Sequence, residues 1–107
     1  MAMPSINDLL LPFLRIMDDE KIHYRSDMIN QLADQFNLSE EERLQRDTNN
    51  NLVFGNLIDW CRSYFISAQF IQNTENKGFR ITRLGSEQLR DSPAQINVQY
   101  LRQFFKG

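Results

Sequence analysis

VFGNLIDWCRSYFISAQFIQNTENKGFRITRLG, residues 53–85, is the stretch whose reading decides the fold. Phe54, Leu57, Ile58, Cys61, Phe65 and Ala68 recur at steps of three and four, the spacing that turns one face of an α-helix toward a core. Trp60 and Tyr64 flank that stripe, and aromatics at helical spacing read as core packing. At 100° per residue the opposite face carries Asn56, Asp59, Arg62, Ser63 and Ile66. Beyond this helix, Phe70 to Asn73 reads as a strand, TENKG as a turn in which Gly78 is free to take a positive φ, and Phe79 to Thr82 as the returning strand. Thr82 then caps a further helix with Leu84 and Leu89 facing inward, broken at Asp91-Ser92-Pro93.

Working outward toward the N-terminus, Ile6, Leu9, Leu10, Phe13, Leu14 and Met17 form another helical stripe, with Ser5 as its cap and Asp8 in its first turn. Pro12 falls inside this pattern, where it removes a backbone donor, so the sequence predicts a kink or two abutting helices. Asp18 to Lys21 ends it. Ile22-His23-Tyr24 reads as a short extended piece, and Ser26 as the cap of a helix carrying Ile29, Leu32, Ala33 and Phe36, which Asn37 can terminate in a left-handed conformation. Ser39 and Glu42 spell a capping box that starts a short helix, and Gln45 to Asn51 is polar and turn-rich. Toward the C-terminus, Ile96, Tyr100, Leu101 and Phe104 suggest a last amphipathic helix; YLRQFFKG either closes the core or is the stub of a linker or dimer contact. The predicted class is mainly helical α+β: a winged helix-turn-helix with a C-terminal β-hairpin wing and additional terminal helices. The long helix takes the recognition position.

The 107 residues predict one domain, 1–107, either whole or the N-terminal part of a longer chain. Cys61 is the only cysteine, so no intramolecular disulfide is available, and the N-terminal apolar run is too short and too interrupted for a signal peptide or membrane span. A cytoplasmic protein without membrane contact is expected. The net charge of −2 and a pI near 5.3 argue against bulk electrostatic coating of nucleic acid, so any DNA contact must use a local patch. Mean hydropathy of −0.52 fits a folded domain.

VFGNLIDWCRSYFISAQFI followed by KGFRITRLGSEQL resembles the N-terminal domain of Mrr-type restriction endonucleases, through Asn56, Trp60, Ala68, Phe70, Gly78, Ile81, Thr82 and Gly85. LSEEERLQR, from Leu38 to Arg46, resembles the family's segment between its second and third helices, so the likeness spans most of the chain. It implies a winged-helix module that targets double-stranded DNA in a restriction system, with the nuclease in a separate C-terminal domain. At the family's helix arginine this sequence has Leu57, at the following glycine Asp59, at Ala-Gly-Leu it has Ala68-Gln69-Phe70, and at the wing arginine Lys77. Each departure lowers positive charge or backbone closeness where DNA would lie.

The candidate DNA-binding residues are Asn56, Arg62 and Ser63 on the long helix, Lys77 and Arg80 on the wing, and Arg83 at the next helix start. Basic side chains neutralise phosphates, and asparagine offers an adenine edge both a donor and an acceptor. Asp59, in the middle of the helix face, would repel phosphates, so the wing is favoured over the helix. The plain alternative is a solvated helix face and an ordinary hairpin. His23 and Cys61 are single, so no ordinary zinc site can be assembled, and no nucleophile motif surrounds any serine. Glu75-Asn76-Lys77 spells the E-x-K of many nucleases, but in a turn with no second acid in view. Gly55, Gly78, Gly85 and Gly107 are scattered and form no phosphate cradle. Neither an enzyme nor a cofactor is expected from this chain. The second functional reading is a protein-interaction or homodimerisation module that kept the winged-helix core and lost its basic face.

Overall fold

A computed structural model describes residues 3–105; Met1, Ala2, and the last two residues of YLRQFFKG, Lys106 and Gly107, lie outside the described residues. The apolar stripes become helices with the expected starts. Helix α1, Ile6–Ile16, opens on a reciprocal box in which Ser5 Oγ accepts from the Asp8 amide at 3.1 Å and the Asp8 carboxylate accepts from the Ser5 amide at 3.0 Å. It is one helix across Pro12, not two pieces. Leu9 and Leu10 before the proline and Phe13 and Leu14 after it are fully buried. Four such side chains stabilise by about 1.5–3 kcal/mol each, more than the ~3 kcal/mol cost of an internal proline.

Helix α2, Arg25–Gln35, begins at Arg25, so the expected cap at Ser26 is corrected: Tyr24 holds the cap position and contributes no side-chain bond. The start is set from outside the helix. His23 exchanges two backbone hydrogen bonds with Phe79, at 2.8 and 2.9 Å, and this pins the extended piece from which α2 departs. Asn37 ends the region at φ 53°, as its residue type suggests. The short helix α3, Glu40–Arg43, carries the Ser39/Glu42 box, and Arg43 bonds back to the Leu38 carbonyl at 3.0 Å and to Asp34 at 2.8 Å, closing the corner between α2 and α3. In the loop that follows, Asp47 Oδ1 accepts from the amides of Asn49 and Asn51 at 2.8 and 3.0 Å.

The decisive stretch forms helix α4, Val53–Ala68, an antiparallel hairpin of β1, Ile71–Asn73, and β2, Phe79–Ile81, and helix α5, Arg83–Asp91; α6, Val98–Arg102, closes the described order. Ile71 pairs with Ile81, Gln72 with Arg80 and Asn73 with Phe79, and the His23 bridge adds a third lane beside β2. The expectation for Gly78 is overturned. Gly78 is extended (φ −84°, ψ 177°), while Asn76 and Lys77 take the left-handed conformations at φ 61° and 66°. Glycine is required there for space, since a Cβ at 78 would lie 2.5 Å from Ile22 Cγ2 and 2.8 Å from Thr74 Oγ1.

One aromatic chain ties the elements together. Phe13 lies 5.5 Å from Phe65 and 5.9 Å from Phe79, Phe65 stacks on Phe70 at 6.0 Å, and Phe70 meets Phe104 edge-on at 5.0 Å. The C-terminal segment therefore closes the core, with Leu101 fully buried, and the Val98 amide donates to Asn7 of α1 at 2.9 Å. Trp60 departs from its expected role: it is 56% exposed at the edge of the α4 face. Its period placed it beside the stripe, and no neighbouring element covers that flank fully. No helix among the described residues is long and apolar enough to cross a membrane.

Candidate nucleic-acid interface

The loop-to-helix step after the hairpin is built from two residues. Thr82 Oγ1 accepts from the Gly85 amide at 3.0 Å, capping α5, and donates back to the carbonyls of Gln69 and Phe70, at 2.6 and 3.0 Å. Gly85 lets the first turn of α5 press against the connection between α4 and β1: a Cβ there would sit 2.1 Å from the Phe70 carbonyl oxygen. The I-T-x-x-G motif is thus a joint that fixes α5 against the hairpin and sets the direction of Arg83.

The candidate residues fall into distinct settings. Asn56 and Ser63 lie on α4, half-buried and exposed respectively. Arg62 is half-buried and engaged by its own chain: Nη2 donates to Asn73 of β1 at 2.6 Å, and its guanidinium carbon stands 4.5 Å from the Phe79 ring centroid. It braces α4 against the hairpin. Arg80 projects from the outward face of β2 opposite Gln72, and Lys77 is exposed at the wing turn. Among the described residues neither Lys77 nor Arg80 makes an ion pair, whereas Arg83 Nε pairs with Glu87 at 3.0 Å across one helical turn while its side chain stays 92% exposed.

Three shallow grooves join these groups. A groove of about 580 Å³ between β2 and α5 is lined by Arg80, Arg83 and Arg90 together with the acids Glu20 and Glu87. A second, of about 500 Å³, shares Gln72, Thr82 and Arg83 with the first and Ile66 and Asn73 with a third, of about 410 Å³, where Arg62 and Ser63 lie. The structure therefore brings Arg62, Ser63, Arg83 and Arg80 onto one winding surface, and leaves Asn56 and Lys77 outside these three grooves.

Two further arginines were invisible to the pattern of α4 and the wing: Arg90, in the first groove, and Arg25, beside Asp59 of the third. Arg90 lies two turns along α5 from Arg83, where its helical phase would have placed it. Arg25 belongs to α2, yet its side chain reaches α4 and pairs with Asp59 through Nε at 2.7 Å and Nη2 at 3.3 Å. Each partner is 47% exposed, so the pair adds at most about 1 kcal/mol to stability. The pairing also means that Asp59 is not the unpaired acid that the helix face alone suggests. The one sequence signal for this contact is Gly55, where a Cβ would meet Arg25 Nη2 at 2.7 Å.

Elsewhere the titratable groups are structural in setting. Burial pushes the Cys61 thiol up to about 12, which keeps it protonated and unreactive. Burial also opposes ionisation of Asp19, but hydrogen bonds from His23, at 2.8 Å, and from the Lys21 amide hold its carboxyl below the ordinary range. Glu75 and Lys77 sit in a 3-10 turn, and among the described residues no group of three or more His, Cys, Asp or Glu gathers as metal ligands would.

A helical body with a long fourth helix, followed directly by a hairpin whose second strand also bridges to the segment before α2, defines a mainly helical α+β fold of winged-helix-like form. The family model of the Mrr N-terminal domain matches residues 7–91, well over half of the chain, and the chain belongs to that family. No curated protein and no solved structure matches it.

Proposed function

We propose that this chain is a double-stranded DNA-binding module, non-catalytic by itself, that serves in the cytoplasm as the targeting part of a restriction-system protein whose nuclease lies in a C-terminal domain. The observation that carries this reading is the exposed cationic surface of the wing and α5. Arg80 and Arg83 line one groove with Arg90, Lys77 stands at the wing turn, and of the four Arg83 and Arg90 pair with acids while Lys77 and Arg80 make no ion pair among the described residues. Arg90 pairs with Asp91, its immediate neighbour, at 3.4 Å. The chain as a whole carries a net charge of −2, so this local concentration of positive charge is the place where phosphates would be favoured.

Fluorescence anisotropy with a labelled duplex at increasing salt tests it. With three or four phosphates contacted, the log–log slope of affinity against salt is expected near −3, from about −0.9 per phosphate. Arg80→Ala with Arg83→Ala should flatten that slope by about 2 and leave the thermal melt unchanged. Absence of binding at low salt and tens of micromolar protein would sink the proposal.

One observation favours a second reading, a homodimerisation or protein-interaction module. Trp60 is 56% exposed, its ring lies 6.1 Å from Tyr64, and Tyr64 stacks on Phe105 at 6.2 Å, an aromatic row near the end of the described chain. Sedimentation at several concentrations separates the two, since a monomer throughout removes the dimer.

A further inference from the structure

Arg25 is the first residue of α2, but its guanidinium lies on the exposed face of α4. Two independent features hold it there. Nε and Nη2 donate to the two oxygens of Asp59, at 2.7 and 3.3 Å, and Gly55 supplies the empty space beneath Nη2, which any Cβ would fill at 2.7 Å. This engagement uses the side edge of the guanidinium. The end fork, Nη1 with the remaining Nη2 hydrogen, has no hydrogen-bond partner among the described residues, and the side chain is 47% exposed.

We propose that Asp59 braces Arg25 so that its end fork reads a guanine in the major groove of duplex DNA laid against α4. The inference rests on the DNA-binding reading above and assigns the sequence-reading contact within it. Guanine presents O6 and N7 as two coplanar acceptors at the spacing of an arginine fork. A guanidinium already fixed along one edge has less rotamer freedom to lose on binding than a free one. The pair carries no net charge, so it adds little to the general attraction for phosphate. What it offers DNA is a directed pair of donors, and Asn56 and Ser63, three residues before and four after Asp59, flank it on the same helix face. Asp59 is a positioning residue in this scheme.

Selection from a randomised duplex library, with sequencing of the bound fraction, tests the proposal on the whole chain and its Arg25→Lys, Arg25→Ala and Asp59→Asn variants, each first shown by thermal melting to be folded. The selected site is expected to contain a guanine whose replacement lowers affinity about 5- to 140-fold. Arg25→Lys, which keeps charge and stem but not the fork, should lose that preference while other positions stay selected. Asp59→Asn should weaken the preference and tighten binding to unrelated DNA. The proposal is overturned if Arg25→Ala and Arg25→Lys keep the guanine preference. It is equally overturned if Arg25→Ala loses affinity for all sequences alike with a salt slope shallower by about 0.9, the behaviour of a phosphate contact. Wild type that binds duplexes with no guanine preference overturns this inference alone, whereas wild type that binds none overturns the DNA-binding reading together with it.

Discussion

At Gly85 two physical effects oppose each other, and their magnitudes decide the outcome. An alanine in the first turn of a helix gains about 1 kcal/mol over glycine from propensity. Here its Cβ would lie 2.1 Å from the Phe70 carbonyl oxygen, a backbone atom that cannot swing aside. Overpacking of this kind costs about 1–3 kcal/mol or more, so Gly85→Ala is expected to destabilise the protein in urea titrations despite its better propensity. A stabilised variant would show that α5 does not press on the connection between α4 and β1. Lys77 presents the reverse case. Its φ of 66° strains a non-glycine residue by about 1 kcal/mol or more, at a position where the side chain points into solvent. Lys77→Gly should therefore raise stability by up to about 1 kcal/mol and, if Lys77 meets a phosphate, flatten the salt slope of DNA binding by about 0.9. Gain of stability with an unchanged slope would leave the strain without a functional counterpart.

Among the elements, the helix starts couple stability to pH. The Ser5 amide and hydroxyl hold the Asp8 carboxyl below its ordinary value, and the Ser39 amide, against an opposing desolvation, does the same for Glu42. Asp19 is lowered through His23 and Lys21 although burial works against it. A carboxyl whose pKa is lower folded than unfolded takes up its proton more readily in the unfolded chain. Its contribution is therefore complete above the unfolded value, near 4, and is lost as pH falls through the folded one. Urea midpoints are expected to drop as pH falls below about 4. Asp8→Asn with Glu42→Gln should shrink that drop while lowering the midpoint at pH 7. These starts were legible in the sequence because a capping box is local: Ser-x-x-Asp and Ser-x-x-Glu satisfy their own backbone within four residues. The start of α2 was not, because it is set by the pairing of His23 with Phe79, residues far apart in the chain.

For the whole molecule, the question is which surface remains available once the core has formed. The aromatic chain from Phe13 through Phe65 and Phe70 to Phe104 uses residues from α1, α4, the connection into β1 and the C-terminal end. Burying it ties α4 to the hairpin through Phe79, and the Thr82–Gly85 joint adds α5, giving one support for Arg80, Arg83 and Arg90. It also consumes Arg62, which the helix wheel places with Asn56 and Ser63 but which folding turns toward Asn73 and the Phe79 ring. Arg62→Ala is therefore expected to cost stability, with a urea midpoint shift, and to weaken DNA binding less than Arg80→Ala does. The opposite ranking would place Arg62 in the DNA contact itself.

Residue pattern alone determined the helices, the hairpin, the winged-helix order and the family likeness, because periodicity, caps and turn residues act over a few positions. It also marked Arg80 and Arg83, since exposed cations on a strand and at a helix start need no distant partner. Only the tertiary structure decided that Gly78 is needed for closeness and not for φ, that Trp60 stays half in solvent, that Arg62 is a brace, and that Arg25 covers Asp59 on α4. Each of these depends on which atoms from a remote part of the chain arrive beside the residue, and such long-range proximity has no period in the sequence.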